Sequence, residues 1–133
     1  MAPHTRSGSR GFTFVELMVV VAIIGLLIGM AIPQYHQTIR ASREALLKSN
    51  LLTLRSQIQN FVADKGRAPQ TLDELVRNGY LYELPLDPTT GTREWRTIPE
   101  EPDLAVDQMQ PGIFNVRSTS PGRSLNGSAY AEW

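Results

Sequence analysis

The chain has 133 residues, room for one domain plus an anchor, and its 13 basic and 13 acidic residues cancel to a formal charge of zero. Without a basic stripe, that balance argues against nucleic-acid binding. There is no cysteine, which removes disulfides and thiolate metal sites. A core must therefore hold by packing, with help only from an ion or from neighbouring subunits.

The first element is Arg10-Gly11-Phe12-Thr13-Phe14-Val15-Glu16, followed by an apolar run over 17–32 that Pro33 closes. Between Phe12 and Ile32 only Glu16 ionises. Counted from Phe12, the run is about twenty residues, the length of a helix that crosses a bilayer. The head before it carries His4, Arg6 and Arg10 and no acidic residue, a bias that keeps this end in the cytoplasm. A carboxylate in such a run costs roughly 2.5–3.5 kcal/mol at mid-membrane depth and less near the interface. If Phe12 were a free amino terminus, its amine and Glu16 would lie at helical i, i+4 spacing on one face. At about 4 Å and an effective dielectric near 20, that pair gains on the order of 4 kcal/mol, comparable with the cost of the carboxylate. A plain signal anchor, with Glu16 reaching the headgroups, is the simpler alternative. An ordinary secretory signal is cut after its apolar region, whereas here the candidate cut precedes it.

Gly11-Phe12-Thr13, with Glu16 four residues after Phe12, resembles the processing motif of the type IV pilin and pseudopilin superfamily. The resemblance implies a precursor that prepilin peptidase, a membrane aspartic peptidase, cuts between Gly11 and Phe12, after which Phe12 is N-methylated. It makes residues 1–11 the leader peptide and 12–33 the transmembrane and filament-core helix. Glu16 becomes the buried glutamate that acts in assembly, and Pro33 the helix proline. Loss of the leader takes away Arg6 and Arg10 and leaves 11 basic residues against 13 acidic.

Beyond Pro33 the helical period continues. Tyr35, Ile39, Leu46, Leu47, Leu51, Leu54, Ile58, Phe61 and Val62 recur at three- and four-residue steps among charged residues. They predict an amphipathic second half of the long helix over 34–64, with a kink at Pro33, which lacks a backbone donor. The two halves together would span roughly 80 Å. Gly25-x-x-x-Gly29 either permits close helix–helix approach or is simply tolerated in a membrane helix.

Residues 65–133 form the rest of the globular domain. Gly66 and Pro69 stop the long helix, and Thr71-Leu72-Asp73-Glu74 has the pattern of a capping box opening a short helix to about Arg77. Residues 80–88, with two prolines, predict an extended connection. Strands are expected over 93–98, with Trp95 inward, and over 112–118. Between them Glu100, Glu101, Asp103 and Asp107 mark a solvated acidic loop. Residues 119–128 predict an irregular loop, and 129–133 a returning strand or a tryptophan docked on the sheet. His4 and His36, the two histidines, lie in no metal or triad spacing, and no catalytic site is legible.

Gly79-Tyr80-Leu81, Leu84-Pro85, Asp87-Pro88, the segment 112–118 and the terminal Trp133 resemble the major pseudopilin of type II secretion. That resemblance implies an α+β, pilin-like fold, a long N-terminal helix packed on a small antiparallel sheet, with a calcium-binding C-terminal loop. This chain departs at the loop, where the family carries several aspartates. Asn126 and Glu132 are the weak calcium candidates left, a poor set for an ion that takes six to eight oxygens, and no cofactor is expected. The function implied is a structural subunit of a type II secretion pseudopilus rather than an enzyme. The alternatives are a type IV pilus subunit for adhesion, motility or DNA uptake, and a membrane-anchored periplasmic protein that never assembles. The partners implied are prepilin peptidase, like subunits and minor pseudopilins, an inner-membrane assembly platform and the lipid bilayer. The N-terminus would lie in the cytoplasm and the globular domain in the periplasm.

Overall fold

The computed structural model describes Met1 and residues 11–133; His4, Arg6, Arg10 and most of the predicted leader lie outside the described residues. In chain order come helix α1 (Phe14–Lys65), helix α2 (Leu72–Arg77), strands β1 (Trp95–Pro99) and β2 (Ile113–Ser118), and a 3-10 turn at Tyr130–Glu132. The order is the expected α+β arrangement, a long N-terminal helix followed by a small antiparallel sheet. The chain divides into two units, Met1–Thr38 and Ile39–Trp133.

In the first unit the helix is apolar on every side from Leu17 to Ile32, and its side chains are exposed. Helical structure continues through Pro33, and Thr38 Oγ1 donates to the Gln34 carbonyl one turn later at 3.0 Å. Tyr35, expected on a buried face, is exposed here.

In the second unit, Leu47, Leu51, Leu54, Ile58 and Phe61 of α1 are buried in a single stripe, spaced four and three residues apart. Leu46 was expected on that face and is exposed instead. Successive helix residues lie about 100° apart, and the layer covering this helix is too narrow to reach both Leu46 and Leu47. Against the stripe pack Leu72 and Leu75 of α2, Trp95, Ile113, Val116 and Tyr130. Each such side chain, fully buried, is worth about 1.5–3 kcal/mol.

Strands β1 and β2 pair antiparallel with Trp95 opposite Ser118 and Thr97 opposite Val116, and the register slips between Ile98 and Pro99. Pro99 has no N–H to give the ladder, so regular pairing ends there. At the stop of α1, Gly66 adopts φ +68° and its N–H reaches the Val62 carbonyl at 2.9 Å.

Two local expectations need correction. Thr71 precedes α2 but makes no side-chain cap; Glu74 turns away to accept from the Gln70 N–H at 2.8 Å and from Arg67. A guanidinium within reach is the stronger partner, so the reciprocal box never closes. At the C-terminus, of the two arrangements expected, the strand does not form and Trp133 docks against the core that holds Trp95, Ile113 and Val116. A single bridge, Arg123 to Ala129, leads into the 3-10 turn, and Trp133 packs edge-on against Tyr130 at 5.1 Å.

Asp87 is fully buried, yet its carboxylate accepts from the Thr89 N–H, the Thr89 hydroxyl and the Ser118 hydroxyl, tying the 80–92 connection to β2. Gly112 lies so close to the Ala68–Pro69 backbone that a Cβ there would sit 2.7 Å from the Pro69 carbonyl oxygen.

Candidate functional site

Gly11, Phe12 and Thr13 are exposed and precede the helix, whose first residue is Phe14. Thr13 sets that start. Its hydroxyl accepts from the Glu16 N–H at 3.2 Å, while the Glu16 carboxylate accepts from the Thr13 N–H at 3.1 Å. This is a closed capping box, two otherwise unpartnered donors satisfied by one pair of side chains. Its Thr-x-x-Glu signal stands in the sequence at 13–16, as it does at 71–74, but sequence reasoning placed the box only at 71–74.

Two consequences follow for the processing motif. The Gly11–Phe12 peptide bond lies outside the helix and exposed, where a peptidase can reach it. In the uncut chain Phe12 precedes the cap and lies outside the helix; the i, i+4 relation to Glu16 was expected only of a Phe12 that is a free amino terminus. The carboxylate faces its own helix N-terminus, the end where negative charge is stabilised. Beyond it, α1 is the one helix among the described residues long and apolar enough to cross a membrane. A Cβ added at Gly25 or Gly29 would meet only open space.

The family described as "Prokaryotic N-terminal methylation motif" matches residues 6–32, which span the Gly11–Phe12 bond and most of the apolar stretch. The chain is also 30% identical over 114 residues to the type II secretion system core protein G of Dickeya chrysanthemi, a stretch covering 86% of this chain and 70% of that protein. The chain belongs to the type IV pilin and pseudopilin superfamily.

Further similarity runs to both branches of the superfamily. The type IV major pilin protein PilA of Myxococcus xanthus is 33% identical over 97 residues, covering 71% of this chain and 44% of the pilin. The competence protein ComGC of Halalkalibacterium halodurans is 32% identical over 71 residues, 53% of this chain and 70% of that protein. The chain spans less than half the length of the type IV pilins it matches. No solved structure matches it. Membership makes the chain a structural subunit rather than an enzyme.

In this superfamily chain the acidic loop is only partly the solvated run expected. Glu101 and Asp103 are exposed, but Glu100 accepts from the Gly112 N–H at 3.1 Å and Asp107 from the Met109 N–H at 3.0 Å. A groove of about 750 Å³ beside it is lined by Ile58, Val62, Ile98, Leu104, Val106 and Phe114. Arg55, Gln59, Glu100, Glu101 and Asn115 supply the polar part of its lining.

The C-terminal loop shows where the calcium candidates stand. Asn126 Oδ1 already accepts from the Ser128 N–H at 3.1 Å, the Ser128 hydroxyl at 2.7 Å and the Ser124 hydroxyl. Glu132 is exposed on the 3-10 turn. Several of the loop's carbonyls are engaged as well: that of Ser128 by the Ser124 N–H, Gly127 by Arg123, Ala131 by Arg96 and Trp133 by Arg55. Among the described residues no three His, Cys, Asp or Glu side chains come together. This donor set does not fit a calcium ion, which needs several free oxygens and carboxylate charge.

Sequence reasoning missed Glu44 altogether. From α1 it accepts from the Leu125 N–H at 2.7 Å and the Tyr130 hydroxyl at 2.9 Å. Burial first, and the Glu44 bond second, hold the Tyr130 phenol above its ordinary pKa. Only its place among the polar residues of the amphipathic stretch was visible, which reads as solvent-facing.

Proposed function

We propose that the chain is a structural subunit of a type II secretion pseudopilus. It waits in the inner membrane with its N-terminus in the cytoplasm and its globular unit in the periplasm. Prepilin peptidase cuts after Gly11, Phe12 is methylated, and an inner-membrane platform draws the apolar helix out of the bilayer into a helical filament of like subunits with minor pseudopilins. Glu16 pairs there with the Phe12 amine of a neighbour, which favours entry into the bundle and sets axial register. The filament supports passage of folded proteins across the outer membrane.

The observation that carries the secretion assignment is the extent of similarity, which takes in most of core protein G and less than half of the pilin PilA. A type IV pilus subunit is the second reading, favoured by the identity to PilA itself. Deletion separates the two. Loss of exoprotein release with surface motility intact supports the pseudopilus, and the reverse supports the pilus.

A further inference from the structure

Residues 119–133 contain no helix beyond one 3-10 turn and no strand pairing beyond one bridge. A segment of that kind needs partners for its polar backbone and something to hold it to the core. In this chain several side chains meet it from elsewhere in the fold, among them Arg40, which donates to the Arg123 carbonyl at 3.4 Å. Glu44 takes the Leu125 N–H and the Tyr130 hydroxyl. Arg55 gives one nitrogen to the Trp133 carbonyl and its Nε to Asn115 at 2.7 Å. Arg96 donates to the Ala131 carbonyl at 2.8 Å, and Lys48 sits 4.6 Å from the centre of the Trp133 ring.

We propose that these side chains form a metal-free latch that fixes the C-terminal loop, in place of the calcium ion implied for related pseudopilins. The charges are arranged for that role. Calcium would gather loop oxygens around a cation, and here guanidinium groups already donate to those oxygens. An ion drawing on the Trp133 or Ala131 oxygen would have to displace Arg55 or Arg96 and would meet their like charge. Glu44 supplies the one carboxylate aimed at the loop, and it binds donors of the loop rather than a metal. The latch also holds the indole of Trp133 in place, since its Nε1–H donates to the Ser128 hydroxyl at 2.9 Å. The inference concerns the subunit alone and holds whichever filament the subunit enters.

The test uses the full-length chain in detergent micelles. Thermal melts are followed by tryptophan fluorescence, in millimolar calcium chloride or in EGTA, alongside timed trypsin cleavage after Arg123. The parent is expected to melt within a degree or two in the two solutions. Glu44→Ala is expected to be cut at Arg123 about tenfold faster, as the loop opens more often. Glu44→Gln, which keeps an acceptor oxygen, is expected to restore much of the resistance. A calcium site on the folded state would raise the parent's melting temperature by about ten degrees or more at a hundredfold excess over Kd. Such a rise, or calcium restoring resistance to Glu44→Ala, would overturn the proposal. So would a Glu44→Ala chain as resistant as the parent.

Discussion

Thr13 and Glu16 bond to each other in both directions, N–H to carboxylate at 3.1 Å and N–H to hydroxyl at 3.2 Å. One pair thus starts the long helix and occupies the only ionisable side chain between Phe12 and Ile32. Before cleavage the carboxylate has a polar partner of its own, which lowers the penalty of standing beside an apolar run. Cleavage after Gly11 would create an amine on the residue adjoining Thr13, and the same carboxylate would then have a cation to choose.

Two substitutions at Glu16 separate capping from charge. Gln completes a capping box as Glu does, whereas Ala cannot. If the helix start were all that mattered, Glu16→Gln would behave like the parent. We expect Glu16→Gln and Glu16→Ala both to insert in the membrane with an unchanged globular unit, and both to lose filaments or secretion, Ala more completely. Membrane fractionation and a secretion assay read the two outcomes. Normal assembly by both variants would leave Glu16 as a side chain that merely reaches the headgroups.

Gly112→Ala tests the close approach of the second strand to the Ala68–Pro69 turn. The added Cβ would lie 2.8 Å from the Ala68 carbonyl carbon and 2.7 Å from the Pro69 oxygen, so backbone has to move. Overpacking of this kind costs about 1–3 kcal/mol. A fall in melting temperature of several degrees is expected, with the N-terminal helix intact by circular dichroism. An unchanged melt would mean the turn yields freely.

Glu74 gives a pH dependence with a fixed sign. The hydrogen bond from Arg67, and after it that from the Gln70 N–H, hold its carboxyl below the ordinary range against the opposing effect of burial. A carboxyl whose folded pKa is depressed adds stability above its unfolded value, about 4.3, and loses it as pH falls through the folded value. The parent should therefore melt slightly higher than Glu74→Gln at neutral pH. The gap should close as pH drops below about 4. The pair is partly exposed, so a gap of a few degrees at most is expected. A gap that widens in acid would contradict the assignment.

What could be read from the chain alone was whatever depends on period and spacing. The stripe from Leu47 to Phe61, the stop at Gly66 and the two strands follow from local pattern, and each stands where expected. The two Thr-x-x-Glu patterns show the limit. They are alike as sequence, yet one closes at Thr13 and the other is broken at Thr71 by Arg67, whose position is set by the fold. Glu44 and Leu125 meet across 81 residues, and Arg55 and Trp133 across 78. No local pattern marks such pairs, and a charged residue on an amphipathic helix looks like any other facing water. Gly112 looked like part of a strand until the turn at Ala68 stood beside it.

Processing at Gly11 is tested most directly by the mass of the protein's amino-terminal peptide, isolated from the membranes of cells that carry the prepilin peptidase. That peptide should begin at N-methylated Phe12, with the apolar helix retained. Replacing Gly11 with a bulky residue should leave the full-length precursor in the membrane. An intact Met1 terminus in the parent, or a cut beyond the apolar run, would contradict processing at Gly11.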